Sequence, residues 1–171
     1  MSRKTRVLTH GAIIAAIYVV LTYLQYILLP ETVSGMIQFR ASEALCVLAF
    51  FTPAAIPGLA IGCLVFNITS SAVLPLDFLV GSLATLLAAG GMRLSRQVTV
   101  KGYPLFGMLL PALTNAVLVG WELAFYIDGG FWLNALCVAI GETAVLLTLG
   151  SGLYYALKNQ RLAHRLFGEV R

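Results

Sequence analysis

Charge is what this sequence has least of. Asp, Glu, Lys and Arg make up 11% of its 171 residues, against about 25% in a soluble globular domain. That shortage excludes an ordinary soluble fold. Cysteine is also scarce: Cys46, Cys63 and Cys137 lie inside apolar stretches at spacings that match no metal-ligand pattern and cannot pair evenly. They read as packing residues, so no metal and no other cofactor is expected. There is no phosphate-binding loop, no His-Glu-x-x-His and no Gly-x-Ser-x-Gly. The two histidines, His10 and His164, sit near the two ends of the chain. Internal repeats and heptads are absent as well. Length excludes a separate catalytic or nucleotide-binding domain, because each membrane-spanning helix takes about 20 residues and six would use roughly 120.

What the chain has in quantity is apolar sequence. It is 60% hydrophobic, with a mean hydropathy of +0.91. The first apolar run, residues 7–29, follows a basic start but is longer than the roughly 7 to 15 apolar residues of a signal peptide, and so reads as a first helix. A polar segment follows at 31–40, then a short apolar stretch at 42–51 that needs tilting or extension to cross a bilayer. Two prolines punctuate 52–57. Further helices are predicted from Gly58 to the polar cluster at 67–71, over 76–94, over 104–126 with Pro104 in its first turn, and over 131–157 after the turn 128–130. The expected fold is all-α: a polytopic membrane protein forming one compact bundle of six transmembrane helices, as a single domain over residues 1–171.

The basic residues set the expected orientation. With a cytoplasmic amino terminus, six crossings put Arg3, Lys4, Arg6, Arg93, Arg96, Lys101, Lys158, Arg161, Arg165 and Arg171 on the inside. Ten of the eleven then obey the positive-inside bias. Arg40 alone falls outside. The acidic residues Glu31, Glu43, Asp77, Glu122, Asp128 and Glu142 fall at the outer side, with Glu169 inside. Both termini are therefore expected in the cytoplasm, in a cell-membrane protein, and the basic ends need no nucleic acid to explain them.

Ionisable groups within a spanning helix cost about 2.5 to 3.5 kcal/mol on insertion scales, so they face a cavity or a partner. Glu122 and Glu142 break the hydropathy pattern in this way. Asn115, seven residues before Glu122, and Tyr126, four after it, fall on its helical face. A cup opening outward is the expected result. Gln38, Arg40 and Glu43 add to its rim where the chain re-enters the membrane, although Ser42 capping and an Arg40–Glu43 surface pair explain that segment equally well. Asn67 and Asp77 flank the outer turn between the third and fourth helices, where turn chemistry competes with ligand contact. If the carboxylates converge, they suit a cation or a ligand rich in N–H donors. Trp121, Tyr126, Trp132 and Phe39 offer flat surfaces for an aromatic ligand or, alternatively, an interfacial aromatic belt.

On the first helix, Gly11, Ala12, Ala15 and Ala16 set small residues at i and i+4 twice, a groove for close helix packing. Gly58 and Gly62 make a second such face. With no phosphate loop and no inverted repeat, a transporter of this size needs a partner to supply the work.

Ile37-Gln-Phe-Arg-Ala-Ser-Glu-Ala-Leu45 resembles the signature of the QueT family, substrate-binding S components of energy-coupling factor transporters associated with queuosine precursors. Further matching stretches are residues 62–67, 76–86, Pro111-Ala-Leu-Thr-Asn115 and Gly141-Glu142. The resemblance implies a non-catalytic substrate-capturing subunit that docks on a transmembrane coupling subunit and two cytoplasmic ATPases. It places the docking face at Ala12 and Ala16. The implied ligand is an aminomethyl-deazaguanine (preQ1) or its nitrile relative. Glu43, Glu122 and Glu142 are then the acidic contacts, Arg40 or Asn67 serves the carbonyl edge, and Trp121 or Tyr126 stacks on the ring. Closure of segment 31–40 over the ligand is a further expectation. The rival readings are an S component for another vitamin on the same scaffold, a small intramembrane enzyme, and an oligomeric ion channel with an acidic ring.

Overall fold

The computed structural model describes residues 2–34, 37–70, 74–127 and 129–158, with the side chains of Arg3 and Ser34 left aside. The expectations for Arg161, Arg165, Arg171, Glu169, His164, Asp128 and Ser71 lie outside the described residues. All regular elements among those residues are helical. α1 (Arg3–Leu28) is followed by the short α2 (Glu31–Ser34), a 3-10 segment (Ala41–Val47) continued by α3 (Leu48–Phe51), and α4 (Ala55–Thr69). Then come α5 (Asp77–Leu94), α6 (Leu105–Tyr126) and α7 (Gly130–Val145), which runs through a π turn (Leu146–Gly150) into α8 (Ser151–Lys158). Four of these helical stretches are long and apolar enough to cross a membrane: Lys4–Leu28, Asp77–Leu94, Leu105–Tyr126 and the continuous Gly130–Lys158. The chain is thus an all-α polytopic membrane protein.

Of the two shorter apolar helices, Ala41–Phe51 lies at the centre of the bundle, while Ala55–Thr69 packs between α1 and α5 with Ile61, Val65 and Ile68 exposed. A 3-10 turn rises about 2.0 Å per residue against 1.5 Å for an α-helix, so the stretch 41–51 covers about 20 Å. This is how the short apolar run at 42–51 becomes long enough to thread the bundle. The same geometry brings residues i and i+3 into line, which stacks Cys46 over Glu43. Ser42, Glu43, Ala44, Cys46 and Val47 are all buried there.

Close packing of α1 on α4 follows from glycine. A Cβ at Gly58 would lie 2.6 Å from the Gly11 carbonyl oxygen, and one at Gly62 would lie 2.8 Å from Tyr18 Cβ. The Gly11/Ala15 face of α1 is therefore used inside the chain. Ala12 and Ala16, one residue on, are exposed. α6 packs against both α5 and α7, and Gly120 meets the Ala135 backbone, with a Cβ there only 2.7 Å from Ala135 Cα. Elsewhere the surface is apolar: Leu8, Ile13, Val20, Leu24 and Ile27 on α1 alone are exposed, as lipid-facing side chains are.

The bundle has two unlike ends. At one, Arg93 donates to the Phe50 carbonyl (3.1 Å) and Lys158 to the Gly102 carbonyl (2.9 Å), so basic side chains cap helix and turn carbonyls. At the other, polar side chains turn inward.

Candidate functional site

The inward-turning end begins with a strap, residues 37–40. Gln25 on α1 pins it: Nε2 donates to Thr32 Oγ1 (2.8 Å) and to the Phe39 carbonyl (2.5 Å), and Oε1 accepts from the Ala41 amide (2.7 Å). The Gln38 backbone lies so close on Gly141 that a Cβ there would overlap the Gln38 carbonyl. Only glycine before Glu142 lets the strap pass over α7. Gln25 was missed in the sequence reading, although a glutamine interrupting a 23-residue apolar run was a signal for it.

Among the described residues four carboxylates are buried at this end, and they differ in company. Asp77, at the first turn of α5, takes the Arg40 guanidinium at 3.0 Å, a pair buried on both sides. Arg40 Nε also donates to the Val33 carbonyl at 3.3 Å. Glu43 accepts from Tyr18 Oη at 2.5 Å on one oxygen and from Cys46 Sγ at 3.3 Å on the other. The Arg40–Glu43 surface pair and Ser42 cap weighed from sequence are not what forms: Arg40 pairs with Asp77, and Ser42 accepts from Thr22 Oγ1 at 2.8 Å. Cys46 and Cys63 are buried free thiols, and Cys63 accepts weakly from Asn67 Nδ2 at 3.5 Å.

Glu142 is satisfied on one side only. Asn115 Nδ2 donates to its Oε1 at 2.9 Å, while Oε2 is buried without a partner. Glu122 is buried with both oxygens unpartnered. Charge links these groups: Asp77 and Arg40 act on Glu122, and Glu43 and Arg40 act on Glu142, so Arg40 is the cation common to both. Asn67 Nδ2 donates to the Asp77 backbone carbonyl at 2.8 Å, which leaves Asn67 Oδ1 and Asp77 Oδ1 also without partners. Next to them a cleft of about 340 Å³ is lined by Asn67, Leu74, Pro75 and Phe78.

The structure thus brings Arg40, Glu43, Asn67, Asp77, Asn115, Glu122 and Glu142 into one buried polar region, with the Gln38 side chain buried in the strap above. It does not bring the aromatic residues with them. Trp121 is 56% exposed and stacks on Phe125, and Trp132 is 83% exposed. Tyr126, at the last residue of α6, is partly exposed and meets Phe125 edge-on. Trp121 is rotated about 100° from Glu122, away from the buried carboxylates, whereas Tyr126, four residues on, keeps the helical face of Glu122 at the end of α6.

Every unpartnered buried side-chain polar atom among the described residues is an oxygen. Such a region can accept hydrogen bonds and has no buried side-chain donor left to offer among the described residues. An ionised carboxylate inside a bundle costs several kcal/mol when unpaired, and a cationic or N–H-rich ligand offsets that cost. No group of three or more His, Cys, Asp or Glu side chains among the described residues is arranged to hold a metal ion.

No curated protein and no solved structure matches the chain. A family model described as QueT transporter matches residues 8–159. Since that match spans most of the sequence, the chain belongs to the QueT transporter family, as a membrane-embedded, non-catalytic substrate-binding component for queuosine-precursor transport with an energy-coupling-factor type of partnership.

Proposed function

We propose that this chain is a single six-span domain of the prokaryotic cell membrane, with both termini cytoplasmic, that captures aminomethyl-deazaguanine from outside. The observation carrying this reading is Glu122, whose two oxygens are buried with no protein donor. A carboxylate with both oxygens open suits the paired N1–H and 2-amino donors of a guanine-like edge, in a bidentate bond. Glu142, with one open oxygen, suits a single strong donor, the ammonium of the aminomethyl arm. The nitrile relative lacks that ammonium and binds less well. Asn67 and Asp77 line the approach from the cleft, and Gln38 and Arg40 hold the strap over the bound base.

Docking on the transmembrane coupling subunit uses the exposed Ala12/Ala16 face, with two ATPases behind it. In support, a groove of about 530 Å³ runs beside it at the basic end, lined by Val7, Leu8, Ala12, Ala15, Pro57 and Ile61. Its lining also includes Lys4 and the small residues Gly11 and Gly58, and small residues are what close helix packing requires.

Calorimetric titration of the purified protein with aminomethyl-deazaguanine, guanine, riboflavin and thiamine tests the assignment. Submicromolar affinity is expected for the first. Guanine, without the ammonium, is expected to bind at least about a hundredfold more weakly, about 2.7 kcal/mol. Tighter binding of riboflavin or thiamine would assign the scaffold to another ligand.

A further inference from the structure

Asn134 on α7 is fully buried, and nothing in the sequence reading gave it a role. Its Nδ2 donates to the Gly130 carbonyl at 3.1 Å. A carbonyl oxygen only accepts, so this bond fixes which way the amide faces. The nitrogen turns back to its own helix start, and Oδ1, buried, has no partner. The bond to Gly130 explains half of the side chain as structure and leaves the acceptor half unexplained.

The register of α6 and α7 locates that acceptor. Asn115 bonds Glu142, and Gly120 lies on Ala135. Continued two residues past Gly120, this antiparallel register puts Glu122 level with Asn134. Two buried residues on facing helices, with three open oxygens between them, therefore share one level. Glu142 and Asn115 lie about 10 Å further along the helices, at 1.5 Å per residue. A bicyclic base with a one-carbon amine arm, hydrogen-bonded at each end, spans such an interval.

We propose that Asn134 is a specificity residue for the exocyclic amine of the ligand. Glu122 holds the ring N–H and one amine hydrogen, and Asn134 Oδ1 accepts the second amine hydrogen. This rests on the reading that Glu122 takes the donor edge of the base. A six-membered ring edge bearing a carbonyl in place of the amine has nothing to give Asn134, and the site rejects it because the buried acceptor then stays open.

The test pairs two ligands with three variants of the full-length protein in detergent, read by calorimetry. The ligands are aminomethyl-deazaguanine and the same compound lacking the 2-amino group. The unsubstituted protein should prefer the first by at least about a hundredfold. Asn134→Ala should lose about tenfold in affinity for the amino ligand and less than about twofold for the des-amino one. Asn134→Asp keeps an acceptor at the same place and should keep the preference to within about threefold; it also decides the matter if the alanine variant does not fold. Equal losses for both ligands, no loss for either, or a preference abolished in Asn134→Asp would overturn the proposal. Glu122→Gln separates the two readings. If it weakens binding while Asn134→Ala does not, the Asn134 role alone fails. If it changes neither affinity, the Glu122 reading fails, whatever Asn134→Ala does.

Discussion

Asp77 and Glu122 are both carboxylates buried at the same end of the bundle, yet one is held by the protein and the other is not. Asp77 has Arg40 at 3.0 Å, and through it the strap is tied to α5. Glu122 has no protein donor on either oxygen. Glu43 is held on both oxygens, by Tyr18 and Cys46, while Glu142 has one oxygen open as Asp77 does but a neutral amide in place of a cation on the other. Acidity inside the membrane is thus not one property. Where the partner is built in, the carboxylate organises the fold; where it is missing, the carboxylate is, on the proposed function, the half of an interaction that a ligand completes.

The largest effect that bears on this contrast is expected from breaking the built-in pair. Arg40→Met leaves Asp77 charged and alone in the interior and should cost about 3 to 5 kcal/mol of stability, visible as a large fall in melting temperature in detergent. The double variant Arg40→Met with Asp77→Leu should recover much of that loss. Failure to recover would mean that Arg40 serves more than Asp77. Next comes Glu122→Gln, expected to cost about 2 to 3 kcal/mol of ligand affinity while leaving the melting temperature of the ligand-free protein unchanged or raised. A fall in stability as large as that of Arg40→Met would erase the distinction between the two carboxylates.

A smaller effect is expected at Gln25→Ala, which removes three hydrogen bonds from the strap and should cost about 1 to 3 kcal/mol. Its diagnostic is kinetic: ligand dissociation should quicken more than association, measured by stopped flow, and equal rates would remove the strap from ligand retention. Smallest is Cys46→Ser. The thiol is a weak donor to Glu43, so stability should move by less than about 1 kcal/mol and affinity not at all.

Much of this was legible before the structure. Glu122 and Glu142 stand out as charges in apolar runs, and the apolar runs mark the helices to within a few residues. The 3-10 geometry at 41–47 was not legible, because over seven residues a period of 3.0 cannot be told from 3.6. Nor were the partners. Arg40 and Asp77 are 37 residues apart, and nothing local decides that Arg40 meets Asp77 rather than the nearer Glu43. Trp121 shows the reverse hazard: it is next to Glu122 in sequence, yet one step around the helix carries it to the lipid-facing side. Asn134 carries no charge to raise suspicion in a hydropathy profile. Its importance lies in an oxygen left open by the direction of a single hydrogen bond, which only coordinates reveal.

The contrast between held and open carboxylates is tested most directly by titrating aminomethyl-deazaguanine into Glu122→Gln and Glu43→Gln side by side. The expected result is a loss of about a hundredfold or more in the first and less than about threefold in the second. Equal losses, or the larger loss at Glu43, would contradict it.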